Sequence, residues 1–167
     1  LARRRVVITG LGIVSPVGNT VEEAWQNILA GRSGIAPITK FDTSTFPVQF
    51  GGEVKNFDIT SYISAKDARR MDAFIHFGLA AGIQAVRDAG LDKENVVDLE
   101  RVGVAIGSGI GGLPLIEETK AEYIAGGIRK VSPFFVPGSI INMISGNLSI
   151  IYGFKGPNIA LVSACTT

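Results

Sequence analysis

The first group in this sequence with chemistry to offer is a single thiol. Cys165 stands in the run Pro157-Asn158-Ile159-Ala160-Leu161-Val162-Ser163-Ala164-Cys165-Thr166-Thr167, with which the sequence ends. A Gly156-Pro157 turn opens that run, and the apolar stretch Ile159 to Val162 has the length of a buried strand. Small and polar residues follow at once. A thiol so placed belongs to the carboxyl edge of a sheet, on a tight turn from strand to helix, where open α/β folds present reactive groups. A helix starting there would favour thiolate over thiol through its free N–H groups and dipole. A lone cysteine is also, as a rule, a small buried hydrophobe. The spacing alone leaves nucleophile and filler both open.

A second chemical candidate is Gly107-Ser108-Gly109-Ile110-Gly111-Gly112. It matches G-x-G-x-x-G, after a strand-like run and before a helical one, which invites a dinucleotide-binding reading and an oxidoreductase. Against it, no second strand ends in an acidic residue about twenty positions on. That region reads Gly126-Gly127-Ile128-Arg129-Lys130. The third candidate, His76, sits between Ile75 and Phe77 inside a helical pattern and reads as a structural histidine.

One cysteine and one histidine provide neither a disulfide framework nor the ligands of a metal centre. Sixteen basic against fifteen acidic residues leave a net charge of +1, so no general attraction to nucleic acid or membrane is implied. The cluster Arg3-Arg4-Arg5 is read as a solvated strand end, with docking of an acidic partner as the alternative. Val6-Val7-Ile8 is too short for a signal peptide, and no window approaches a membrane span. A cytoplasmic protein is expected.

The elements that position these groups follow from pattern. Arg5 to Gly10 predicts a first buried strand, β-branched and broken by Gly10 and Gly12. Thr20 with Glu23 predicts a capping box, and Gly31 a stop, for a helix whose face Val21, Ala24, Trp25, Ile28 and Leu29 is apolar, with Trp25 in the core. Ser33 to Ile63 is turn-rich, with a short strand within Val48 to Val54. Asp67 to Ala89 predicts one long helix, capped by Ser64 and stopped by Gly90, with Gly78, Ala81, Gly82 and Ala85 admitting close neighbours. Arg101 to Ile106 predicts a second buried strand, and Leu113 to Ile124 a helix. Ser132 to Gly138, with its two prolines, predicts an extended segment. Ser139 to Tyr152 predicts a helix stopped by Gly153. The order argues for one layered α/β domain with a largely parallel sheet. Its carboxyl edge would bring the glycine loop to Cys165, and Ile110, the one large side chain of that loop, would fill space beside it.

Five blocks carry a resemblance, in order along the chain. They are Val7-Ile8-Thr9-Gly10-Leu11-Gly12, Met71-Asp72-Ala73-Phe74-Ile75, Gly107 to Gly112, Lys130-Val131-Ser132-Pro133-Phe134-Phe135-Val136-Pro137 and Ser163-Ala164-Cys165. Together they resemble the N-terminal portion of the β-ketoacyl-[acyl-carrier-protein] synthase II family, the elongating condensing enzymes of type II fatty acid synthesis. The resemblance implies a thiolase-like fold of two similar α/β halves, working as a homodimer. Cys165 would take an acyl group from acyl carrier protein as a thioester. Decarboxylated malonyl-acyl carrier protein would then attack it, lengthening the chain by two carbons. Covalent catalysis divides one difficult transfer into two easier ones. The Cys165 backbone N–H resembles the family's oxyanion donor. Gly109 and Ile110, on the loop at that shared edge, are expected to line the acyl site, and by the same resemblance Phe135 closes it from the partner subunit. No cofactor of the enzyme's own is implied, since the phosphopantetheine arm belongs to the carrier.

The family's two catalytic histidines, its lysine and a second oxyanion donor lie after the cysteine, and His76 matches none of them. Residues 1–167 are therefore expected to be an incomplete synthase without the C-terminal half, inactive and poorly folded alone. A polyketide ketosynthase, a synthase I-type enzyme and a non-catalytic N-terminal module remain the alternatives, besides the oxidoreductase.

Overall fold

The glycine pattern of one helix explains how the chain is assembled. The computed structural model describes residues 4–91, 94 and 98–167, so Arg3 of the basic cluster lies outside the described residues. Helix α3 (Ala73–Asp88) is the central element, with Ile75, Leu79, Ala80 and Ile83 all but inaccessible to solvent. It packs on α6 (Met143–Tyr152) through Gly78 and Gly82. A Cβ on Gly82 would stand 2.9 Å from Leu148 Cδ2, and one on Gly78 2.8 Å from Ile144 Cδ1. The missing side chains let the two helices approach, and Ile144 and Leu148 fill the space. Val86, Val104, Tyr152 and Phe154 complete this core.

The other side of α3 receives residues 10–13. A Cβ on Gly10 would lie 2.8 Å from Ala89 Cβ, and one on Gly12 2.8 Å from Gln84 Cβ. Leu11 N–H donates to Asp88 Oδ2 at 2.8 Å and Ile13 N–H to Gln84 Oε1 at 3.3 Å. The predicted first strand is corrected here. Arg5 to Gly10 pairs with no strand among the described residues, and Val6 and Ile8 are 92% and 83% exposed. β-branched residues favour extended backbone, but a ladder needs a neighbour to bond.

Helix α1 (Val21–Leu29) has the predicted ends. Glu23 N–H donates to Thr20 Oγ1 at 3.2 Å, while Glu23 Oε2 accepts from Asn19 N–H at 2.7 Å. Gly31, at φ +64°, donates to Ile28 O, and Arg32 N–H to Asn27 O, so the stop is a Schellman motif. Its apolar face is not buried: Trp25 is 56% exposed, and only Ala24 is covered. Leu11, Gly12, Ile13, Val21, Trp25 and Ile28 instead line an open apolar groove.

The predicted helix from Asp67 is two. Ser64 caps α2 (Ala65–Ala68), and Asp72 caps α3. An aspartate in β conformation accepts hydrogen bonds from the N–H groups that follow it, which ends one helix and starts the next. Gly90, at φ +65°, is the predicted stop.

The sheet content is small. β1 (Ile35–Pro37) and β2 (Phe50–Gly52) pair antiparallel, Ile35 opposite Gly52. β3 (Val104–Ala105) and β4 (Asn158–Ile159) pair parallel, Val104 opposite Asn158. The α/β class holds, but β4 is two exposed residues rather than a buried run to Val162, because β3 is its one ladder partner among the described residues. Helix α4 (Leu113–Gly126) follows the glycine loop as predicted. The extended reading of Ser132 to Gly138 is overturned, since α5 (Phe135–Ser139) is helical with Pro137 inside it. Pro137 sits in the first turn, where its missing N–H leaves no bond unmade. Consequently α6 starts at Met143, later than predicted, and ends at Gly153 with φ +73°.

Candidate active site

Cys165 lies on a single 3₁₀ turn, Ala164–Thr166, which follows β4 after four residues of irregular chain. Threonine hydroxyls knit the turn. Thr166 Oγ1 donates to Ser163 O at 2.8 Å, and Ser163 N–H donates to Thr167 Oγ1 at 2.8 Å. The residue before the cysteine, Ala164, has φ +52°. That left-handed conformation costs a residue with a side chain about 1–2 kcal/mol. Such positions cluster where a turn must present a group. Cys165 itself is exposed.

The strand below the turn is anchored from the side. Asn158 Oδ1 accepts from Ser145 Oγ at 2.8 Å, while its amide donates to Ser145 O at 3.0 Å and Ser149 Oγ at 2.8 Å. Ser145 is fully buried in α6, so β4 is bonded to the same helix that α3 packs against.

Parallel pairing decides what faces the thiol. Because β3 and β4 run in the same direction, the chain leaves both at one edge. The glycine loop and the cysteine turn meet there. A Cβ on Gly107 would lie 2.8 Å from Leu161 O and against the Thr167 side chain, and one on Gly109 3.3 Å from Ala164 O. Ser108 Oγ accepts from Gly111 N–H at 3.2 Å, closing the loop, and Gly112 N–H donates to Ser139 O at 2.9 Å. Ile110 projects from this loop, 71% exposed. Phe135 stands half-buried at the start of α5, whose other end, Ser139, meets Gly111 and Gly112.

Sequence reasoning passed over Asp72. It is 7% exposed, and its Oδ2 accepts from Leu115 N–H at 2.8 Å. The signal was legible: an Asp directly before the apolar run Ala73-Phe74-Ile75 is an N-cap pattern. His76 has the predicted structural role, with Nε2 2.9 Å from Ala68 O. Among the described residues, no group of three or more His, Cys, Asp or Glu could hold a metal ion. No helix among them is long and apolar enough to cross a membrane.

The glycines at 107, 109, 111 and 112 face Leu161, Ala164 and Ser139, so close approach of protein backbone accounts for them without a dinucleotide. Titration with NAD(H) or NADP(H) at millimolar concentration is accordingly expected to give no saturable heat. A micromolar dissociation constant would restore the oxidoreductase reading.

The family model for the beta-ketoacyl synthase N-terminal domain matches residues 3–167. The chain belongs to that family. Among related sequences, the ketosynthase domain is 59% identical to 3-oxoacyl-[acyl-carrier-protein] synthase 2 of Vibrio cholerae, over all of this chain and 40% of that protein. It is 53% identical to the Coxiella burnetii protein of the same name, again over 100% and 40%. Among solved structures, the ishigamide ketosynthase/chain length factor superposes with a TM-score of 0.79 at 31% identity, covering 98% of this chain and 40% of that one. A type II polyketide ketosynthase, solved with its acyl-carrier protein and bound to the hexaketide, gives 0.74 at 26% identity, over 99% and 44%. The fold is therefore that of a thiolase-like ketosynthase. This ketosynthase domain spans about 40% of the length of the curated relatives it matches.

Proposed function

We propose that the protein of which these residues form the N-terminal domain is a condensing enzyme of type II fatty acid synthesis. Acyl-acyl carrier protein and malonyl-acyl carrier protein are its substrates. The observation that carries the reading is the exposed Cys165, on a turn led by left-handed Ala164 and walled by the glycine loop. The Cys165 thiolate attacks the thioester carbonyl of acyl carrier protein. The carrier's phosphopantetheine thiolate leaves, taking a proton, and the acyl group stays on Cys165. The Cys165 backbone N–H donates to the oxyanion formed on the way, a contact commonly worth about 3 kcal/mol. Malonyl-acyl carrier protein then loses carbon dioxide, and its carbanion attacks the acyl-cysteine, returning the thiolate. The chemistry calls for no metal or cofactor of the enzyme's own. The protein works in the cytoplasm as a homodimer, with Phe135 closing the acyl pocket of the partner subunit.

The polyketide alternative ranks second, because identity is 59% to a fatty-acid relative and 31% to the ishigamide ketosynthase. The test is to incubate the whole protein with acyl-acyl carrier protein and map the adduct by mass spectrometry. An acyl group on Cys165 is expected. A label on another residue, or none in protein that still condenses, rejects the reading.

The same reading assigns Gly109 and Ile110 to the acyl pocket. Gly109 lets the loop stand against Ala164, and Ile110 alone brings bulk to it. Replacing Ile110 by Phe adds volume, and overpacking a fitted pocket typically costs about 1–3 kcal/mol. That cost is expected to fall on long acyl chains and spare short ones, in a variant first checked to melt at the wild-type temperature. Acylation rates for carriers of different chain length check it. An equal loss at every length would make Ile110 scaffold.

A further inference from the structure

Asp72 is a buried acid outside that chemistry, and each of its polar groups is engaged. Its N–H donates to Gly138 O at 3.1 Å, and its carbonyl accepts from Ile75 N–H at 3.0 Å. Oδ1 accepts from Phe74 N–H at 3.3 Å in the first turn of α3, and Oδ2 from Leu115 N–H at 2.8 Å in the first turn of α4. One carboxylate therefore serves the N-termini of two helices, where both dipoles favour negative charge. Two glycines let this junction close. A Cβ on Gly112 would stand 3.0 Å from Asp72 Cβ and 2.9 Å from Ser139 Cα, and one on Gly138 2.7 Å from Arg70 O.

Gly112 is also the last residue of the loop that walls Cys165. We propose that Asp72 is a positioning residue. By holding α4 to α3 it sets where the loop 107–112, and Ile110 on it, stands beside the acyl-cysteine. This rests on the condensing reading above. Asp72 touches no reacting atom; it acts by fixing one end of a six-residue loop whose middle meets Ala164.

Two variants of the whole protein separate the roles. Asp72→Asn keeps the size but offers one acceptor oxygen, so its amide N–H₂ confronts one of the two backbone N–H groups. Asp72→Ser still caps α3, being a favoured N-cap, but is too short to reach Leu115. In both, amide hydrogen exchange across residues 107–115 is expected to accelerate while α6 keeps its protection. The rate ratio for acylating Cys165 with short against long acyl carriers is expected to shift by on the order of tenfold, as small displacements beside a reacting group do. Alkylation of the exposed thiol by iodoacetamide, a reagent with no acyl chain to be sorted, is expected to stay at the wild-type rate.

Unchanged exchange in 107–115, or faster exchange with an unchanged chain-length ratio, overturns the proposal and leaves Asp72 a helix cap only. If Asp72→Asn does not fold, Asp72→Ser decides by the same two readouts. Wild-type protein that is never acylated on Cys165 defeats the condensing reading itself, and that result is distinct from either variant outcome.

Discussion

Changing Cys165 to Ala in the whole protein is expected to abolish acylation and to lower condensation by about 10⁴-fold or more, the scale on which removing a covalent nucleophile acts. The fold should not notice. The thiol is exposed, and the bonds that shape its turn come from Thr166, Thr167 and the backbone. The melting temperature is therefore expected to match the wild type, which separates lost chemistry from lost structure. Cys165→Ser is a useful companion. It keeps a nucleophilic atom in place, but an unactivated hydroxyl is a far weaker nucleophile than a thiol, so only residual acylation is expected. Full condensing activity in Cys165→Ala would remove the central residue from the proposed function.

The second large effect concerns the 167 residues as an isolated polypeptide. Their accessible surface is 11615 Å². A compact monomer of 17.6 kDa is expected to expose about 7,900 Å². The excess is apolar in good part: Val6, Val7 and Ile8 ahead of the segment 10–13, Trp25 and Leu29 on α1, Ile124 and Ile128 around the end of α4, Leu161 and Val162 after β4. Patches of this extent on a monomer lead to association. The isolated chain is expected to bind hydrophobic dyes, to self-associate and to melt without a sharp transition. It should show no condensation, since its one histidine is engaged with Ala68. Light scattering, calorimetry and a condensation assay check these outcomes together. A monodisperse, cooperatively melting chain that elongates acyl carriers would contradict both the surface argument and the expectation of inactivity.

How much of this was legible beforehand depended on the range of the forces involved. Thr20 and Glu23 at capping-box spacing predicted the start of α1, and Gly31, Gly90 and Gly153 predicted three helix ends, because caps and left-handed stops are settled within a few residues. The small residues of α3 predicted close packing, and the structure shows Gly78 and Gly82 under Ile144 and Leu148. Pattern failed where partners decide. Val6-Val7-Ile8 and Ile159 to Val162 carry the composition of buried strands yet lie exposed, since burial requires a neighbour that composition cannot name. The helical face of α1 predicts Trp25 in the core, yet that face is open. Pro137 predicts extended chain, although the first turn of a helix tolerates it. The break at Asp72 is local and legible as an N-cap before Ala73; its second bond, to Leu115 far along the chain, is not.

Residue pattern was enough for the family, the start of α1 and the glycine stops of α1, α3 and α6. Each depends on residue identity or on neighbours a turn away. Sequence order already brings the glycine loop and Cys165 to one edge; folding adds the contacts themselves, Gly107 against Leu161 and Gly109 against Ala164, and the single carboxylate that caps two helices. Only the tertiary structure decided which apolar faces are left uncovered. The parallel register of Val104 with Asn158 sends both chain segments out of one edge, and that register is a long-range pairing that short-range propensity does not encode.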